Sequence, residues 1–267
     1  MNNKTPSGIF TATRKDNSIY YRTFLTIKGK HISLGSFDEK DKAKRCVETA
    51  ERIWNSLQIV LEDYTNESAL AFEKWVVLIN YRDHGIYSSN PIYLRNSYFD
   101  YYLSPGKVLK FDKDDLFYYS SHKIMERGNH LFVSDYGIQV NLLNRYGIMS
   151  YSVPGRDYLF KNGDSLDFRY GNIEIINRFR GVMKKTVNAK TVYEARIHVN
   201  GYYKIGTYPT EISAAIAYNK AVDILSRNGL EKNYSTNYID HLSPKEYADI
   251  YSSVEINPRI TNYHLTL

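Results

Sequence analysis

Cysteine is nearly missing: Cys46 is the single one in 267 residues. One thiol makes no internal disulfide, so a disulfide-stapled scaffold is excluded and a reducing cytoplasm is the expected compartment. Long apolar runs are missing as well. No stretch reaches the roughly 18 residues that a membrane helix needs, and no cationic segment followed by an apolar one stands at the start. The expectation is a soluble, cytoplasmic protein with no membrane partner. Catalytic signatures are equally sparse. There is no H-E-x-x-H, C-x-x-C or nucleophile elbow, and Ser104-Pro105-Gly106-Lys107 lacks the upstream glycine of a phosphate loop. No cofactor is implied.

Tyrosine, by contrast, is abundant, with 26 residues. Clusters such as Tyr98 to Tyr102, Phe117-Tyr118-Tyr119 and Tyr202-Tyr203 fit β-rich cores and half-exposed sheet faces, where the ring packs and the hydroxyl stays wet. Base stacking is the functional alternative. A hydrophobic content of 43% supports a folded chain. The net charge of +6 is unevenly placed. Residues 1–60 carry 11 Lys/Arg against 6 Asp/Glu, residues 176–267 carry 12 against 8, and the stretch between carries 12 against 15. Two basic ends on a slightly acidic middle fit attachment to a polyanion, although ordinary solvated surface accounts for charges of this size equally well.

The two ends are also versions of one module. Gly8, Gly29 and Leu34-Gly35-Ser36-Phe37 recur as Gly181, Gly201 and Ile205-Gly206-Thr207-Tyr208, offset by 171 to 173 residues. Each set is followed by a helix-patterned run, through Ala43, Ala50 and Ile53 in one case and Ala214, Ala221 and Ile224 in the other. Alternation predicts strands over 8–14, 20–27 and 30–36, with turns at Asp16-Asn17 and Lys28-Gly29. Asp38 is the expected cap of a helix reaching about Val60. The second copy predicts strands near 180–186, 192–199 and 202–207, Thr210 as cap, a helix to about Arg227, and a closing helix at Ser243-Pro244. A helix is expected over 66–82, and strands at Lys107–Phe111, His130–Ser134 and Gln139–Leu143. The fold class is therefore α+β: two small three-stranded antiparallel sheet-plus-helix modules flanking a mixed α+β central domain, divided as 1–62, 63–175 and 176–267.

The C-terminal module runs Arg180-Gly181-Val182, Tyr193-Glu194-Ala195-Arg196-Ile197-His198-Val199, Ile205-Gly206-Thr207-Tyr208 and Ala214-Ala215-Ile216-Ala217-Tyr218-Asn219-Lys220-Ala221. Over about 50 residues this resembles the ethylene-response-factor (Apetala-type) DNA-binding domain, with its R-G-V opening, A-E-I-R strand, L-G-T-F turn and A-A-x-A-Y-x-x-A helix. The N-terminal module is a weaker relative. The resemblance implies double-stranded DNA as partner, read by the sheet in the major groove. With Ala195, Ile197, Val199, Tyr203 and Ile205 facing the helix, Glu194, Arg196, His198, Tyr202 and Lys204 fall on the open face, flanked by Arg180 and Lys185. The corresponding N-terminal set is Arg14, Arg22, Phe24, Thr26, His31 and Ser33, with Phe24 where the second copy has Arg196.

The middle carries a second resemblance. Asn162-Gly163-Asp164-Ser165-Leu166-Asp167-Phe168-Arg169, followed by Asn172-Ile173, is similar to the late half of the HNH homing-endonuclease motif, D-H-x-N-G-D-x-L-D-N-R-x-x-N-L. Such cores occur joined to Apetala-type domains in phage and bacterial homing nucleases. Val133–Gly137 and Val140–Leu143 stand where that family has its lead-in strands, with Asn141 in place of a His. Counted back from Asn162, the family's metal-binding Asp falls on Leu159 and its base His on Phe160; a two-residue shift moves them to Asp157 and Tyr158. Phe neither activates water nor holds a cation, and a tyrosine of pKa ~10 is a poor base at neutral pH. The retained Asn162, Asp164, Asp167 and Asn172 read as turn and capping residues. His122 and His130 with Glu126 between them match no recognised metal spacing, and Asp112, Asp114 and Asp115 suit a turn. No catalytic or metal residue is therefore assigned. The expectation is a catalytically inactive, sequence-specific DNA-binding protein of a bacterium, phage or mobile element, serving as a transcriptional regulator or repressor. The alternatives are an active HNH-type homing endonuclease with a drifted metal site, and a protein–protein adaptor. A homodimer stays open.

Overall fold

A computed structural model describes residues 7–263. Helices take 31% and strands 32% of the described residues, and the strands form several small antiparallel sheets rather than one large one. The class is α+β.

Strands β1 (Ser7–Thr13), β2 (Ile19–Ile27) and β3 (Lys30–Phe37) form the first meander. Asp16 closes its first turn by accepting from the Ser18 amide at 3.0 Å. Lys28 and Gly29 both take positive φ (47° and 77°) in the second, as a tight hairpin turn requires. Leu25, Ile27, Ile32 and Leu34 pack against Ala43, Cys46, Val47, Ala50 and Ile53 of helix α1 (Lys40–Asn55). The expected cap Asp38 does not cap: it pairs with Arg14, and Glu39 precedes the helix without a side-chain cap bond. The helix also stops earlier than its sequence pattern suggests. Arg82 of helix α2 (Phe72–His84) donates to the carbonyls of Ile53 and Ser56, at 3.0 and 2.5 Å, and satisfies groups that the helix end leaves open.

Strands β4 (Ile92–Leu94), β5 (Tyr98–Ser104) and β6 (Lys107–Asp112) form a second sheet. After the short helix α3 (Leu116–Ser121), strands β7 (Ile124–Arg127), β8 (His130–Asp135) and β9 (Ile138–Asn141) form a third. A two-stranded hairpin, β10 (Tyr158–Phe160) with β11 (Ile173–Ile175), precedes the second meander. That meander comprises β12 (Val182–Val187), β13 (Lys190–His198) and β14 (Tyr202–Tyr208), covered by α4 (Glu211–Arg227). Thr210 caps α4 by accepting from the Ser213 amide. Helix α5 (Pro244–Ser253) starts with a reciprocal Ser243–Glu246 capping box, and α6 (Pro258–Thr261) follows.

The repeat extends to an irregularity. The β2–β3 register shifts between Thr23 and Phe24, and the β13–β14 register shifts between Ala195 and Arg196. In both modules a glycine, Gly35 or Gly206, lies opposite the residue before the shift.

By compactness the chain forms two units where the sequence suggested three parts. One comprises the chain through Leu142 with Asp164–Asn172; the other comprises Leu143–Gly163 with the chain from Ile173 onward. The first module does not end in packing terms near residue 62, because one apolar core runs from β2, β3 and α1 through Leu61, Leu70 and Trp75 to Tyr102. The last module, likewise, gathers residues 143–163 to itself.

Candidate nucleic-acid interface

On the C-terminal sheet, alternation sends Ala195 and Ile197 into the core under α4 and turns Glu194, Arg196 and His198 to the other side. Lys185 of β12 and Lys204 of β14 reach the same carboxylate from its two flanks. Glu194 pairs with Lys185 at 2.9 Å, with Lys204 at 3.5 Å, and with Arg196 through Nε. Glu194 was placed among the exposed contact residues by its sequence position, and that placement needs correcting: it is only 5% exposed, roofed by its three partners. Burial opposes its charge, yet the hydrogen bonds from Lys185 and Arg196 outweigh this and hold the carboxyl below its usual range. Three cations on one carboxylate leave the face net positive, with the cationic tips held in place. His198 and Tyr202 are exposed, their rings edge-on at 4.9 Å.

Arg180 is positioned by a device that the sequence reading missed. Its amide donates to Asn237 Oδ1 at 2.8 Å, and Asn237 Nδ2 donates back to its carbonyl at 3.1 Å. Asn237 is itself gripped by Asn219 of α4, which donates to its carbonyl and accepts from its amide. The available signal was an asparagine on the buried face of an alanine-lined helix. The Arg180 guanidinium lies 4.3 Å from the Tyr151 ring centroid.

The N-terminal sheet is built differently on its open face. Phe24 stacks between Phe10 (5.0 Å) and His31 (4.2 Å), and Thr26 Oγ1 meets His31 Nδ1 at 3.2 Å. Arg14 and Arg22 lie 5.0 and 5.5 Å from the Tyr20 centroid, and Arg14 is further tied to Asp38. This face is aromatic with two arginines, where the other is a cation cluster.

The residues of the nuclease-like motif are dispersed over structural tasks. Asp157 is buried and accepts from Arg156, from the Val153 amide at 2.8 Å and from Asn177 Nδ2 at 3.2 Å. Burial opposes its charge, but these donors keep its carboxyl below the usual range. Asn177 Oδ1 in turn accepts from the Lys184 amide, which ties this cluster to β12. Burial raises the Tyr158 phenol above its ordinary value, so still less of it is deprotonated and able to accept a proton at neutral pH. Phe160 is half-buried in β10 beside Tyr158. Asn162 and Gly163 make the turn after β10, with Gly163 at φ 77°. Asp164 accepts from the Leu166 amide and from Lys110. Asp167 accepts from Arg169, and Asn172 donates to the Asp167 carbonyl. Phe168, where the motif has an asparagine, is buried and stacks on Phe111 at 5.5 Å.

Among the described residues no group of three or more His, Cys, Asp or Glu is placed to hold a metal ion. His122 packs on Tyr118 and lies 3.6 Å from Asp135, while Glu126 pairs with Lys107. Among them, too, no helix is long and apolar enough to cross a membrane. No protein-family model, curated protein or solved structure matches this chain, so its functional reading rests on its own residues.

Proposed function

We propose that the chain is a sequence-specific double-stranded-DNA-binding protein, a transcriptional regulator derived from an HNH homing endonuclease and catalytically inactive. The observation that carries this reading is the cation cluster of the C-terminal sheet. Lys185, Arg196 and Lys204 surround the buried Glu194 on the face away from α4, and a narrow twisted sheet of this kind fits the major groove. In this reading Arg196 takes a guanine edge, and Lys185 and Lys204 take phosphates. The N-terminal sheet extends the footprint with Arg22 and the Phe24 stack. Lost chemistry is supported by Phe160 and Tyr158 at the two positions where the motif would have its base, and by Asp157, whose carboxylate is already engaged by protein donors.

Selection from randomised duplexes identifies the preferred site. On that site Arg196→Ala is expected to cost about 1–3 kcal/mol and to relax preference at one base pair. Unchanged affinity in a gel-shift titration counts against the reading. Incubating the protein and its site with Mg2+ or Mn2+ tests the enzyme alternative, since strand scission would favour a working nuclease.

A further inference from the structure

Beside the open face of the C-terminal sheet lies a cleft of about 530 Å3, lined wholly by the second compact unit. The sheet contributes Arg196, His198 and Tyr202. Tyr151 and Arg156 come from the segment ahead of β10, and Lys232 from the chain after α4. Arg180 lies at the start of the module and completes the wall. Of the four cations that line it, Arg156 is engaged by the one lining acid, the buried Asp157, and Arg196 by Glu194, which leaves Arg180 and Lys232. Arg180 has no carboxylate partner among the described residues; its guanidinium rests on the Tyr151 ring. Lys232 gives two of its three donors to the carbonyls of His198 and Val199, which leaves one donor and its charge uncompensated.

We propose that this cleft holds a phosphodiester, the sugar–phosphate backbone of the duplex that the sheet reads. The inference rests on the DNA-binding role proposed above and adds to it a clamp outside the repeated module. Arginine forks match phosphate oxygens, a lysine adds a point charge, and tyrosine rings suit the sugar between phosphates. The contact carries no sequence information. It adds affinity for any duplex, and does so through Arg156 and Lys232, which lie outside the base-reading sheet. A free nucleotide would present the same phosphate chemistry.

The test titrates salt against binding of a fluorescent random-sequence duplex by the full chain. Arg156→Ala should weaken binding several-fold and lower the slope of log K against log salt by about 0.9, the value of one phosphate contact. Arg156→Lys should restore the slope. Should Arg156→Ala melt early through the loss of Asp157's partner, Lys232→Gln carries the same expectation. A wild-type salt slope left unaltered by these variants overturns the clamp while leaving the DNA-binding reading intact. Absence of any salt-sensitive duplex binding by the wild type sinks the parent reading and the clamp with it. Calorimetric titration with dAMP separates the sources: saturable binding lost in Arg156→Ala, with the duplex slope unchanged, makes this a free-nucleotide site and overturns the proposal.

Discussion

Glu194 sits at the centre of a charge cluster whose members depend on one another. Its carboxyl is depressed by the fold, so the cluster's stabilisation is fully present at neutral pH and is lost as pH falls through and below the ordinary carboxylate range. Asp157 behaves in the same direction. Glu194→Gln should flatten part of the acid limb of a thermal-melting profile. It should also leave three clustered cations without their counter-charge, destabilising the module by about 1–3 kcal/mol at neutral pH. Because the face gains net positive charge, non-specific duplex affinity should rise at low salt, measurable by fluorescence anisotropy. A variant with wild-type melting at all pH values would show that the cluster is energetically idle. Phe24 marks the opposite solution at the matching N-terminal position: between Phe10 and His31 it fills space that a cation occupies in the other sheet.

At the scale of elements, the two meanders differ in how closely strand and helix approach. Gly181, just ahead of β12, takes φ 71°, and a Cβ there would strike the Arg196 carbonyl and come within 2.5 Å of the Tyr218 ring. Left-handed backbone alone costs a non-glycine residue about 1–2 kcal/mol, and both neighbours are held, one in the β13 backbone and one as a buried side chain of α4. Gly181→Ala should therefore lower the melting temperature of the C-terminal module clearly, and a differential scanning trace indistinguishable from wild type would refute the close packing. Arg196 and Arg180 both border this contact, so a shift at Gly181 would be felt at the candidate interface. The Asn219–Asn237 pair works at the same scale, tying the chain after α4 to the backbone of Arg180.

For the whole molecule, the proposed DNA-binding reading implies that two sheets on one chain would make the second binding event intramolecular, raising apparent affinity by an effective-concentration factor. A duplex long enough for both sheets should bind more tightly, by about 10²-fold or more, than one covering a single site. Arg22→Glu should bring the long-duplex affinity down toward the short-duplex value and leave the short duplex unchanged. Equal affinities for the two lengths in wild type would mean that the sheets do not act on one duplex. On that reading the N-terminal face would be the weaker partner, because its arginines already rest on Tyr20 and one is paired with Asp38.

What the sequence by itself determined is the local pattern. Strand alternation, the turn residues at Asp16-Asn17 and Lys28-Gly29, the Thr210 cap and the Ser243-Pro244 helix start are all short-range matters, settled by neighbours a few residues away. Arg196, His198, Tyr202 and Lys204 could be assigned to one face for the same reason, since alternation along a strand is a local rule. What only the tertiary structure decided depends on long-range partners. Asp38 pairs with Arg14 instead of capping, Arg82 donates to the carbonyls of Ile53 and Ser56 at the end of α1, and three cations from three strands turn Glu194 from an expected contact residue into a buried centre. Asp157 is spent on Arg156 and Asn177, and one apolar core runs on past Leu61 to Tyr102. Each of these is a pairing between side chains far apart in sequence, and no periodicity in a single strand or helix encodes its partner.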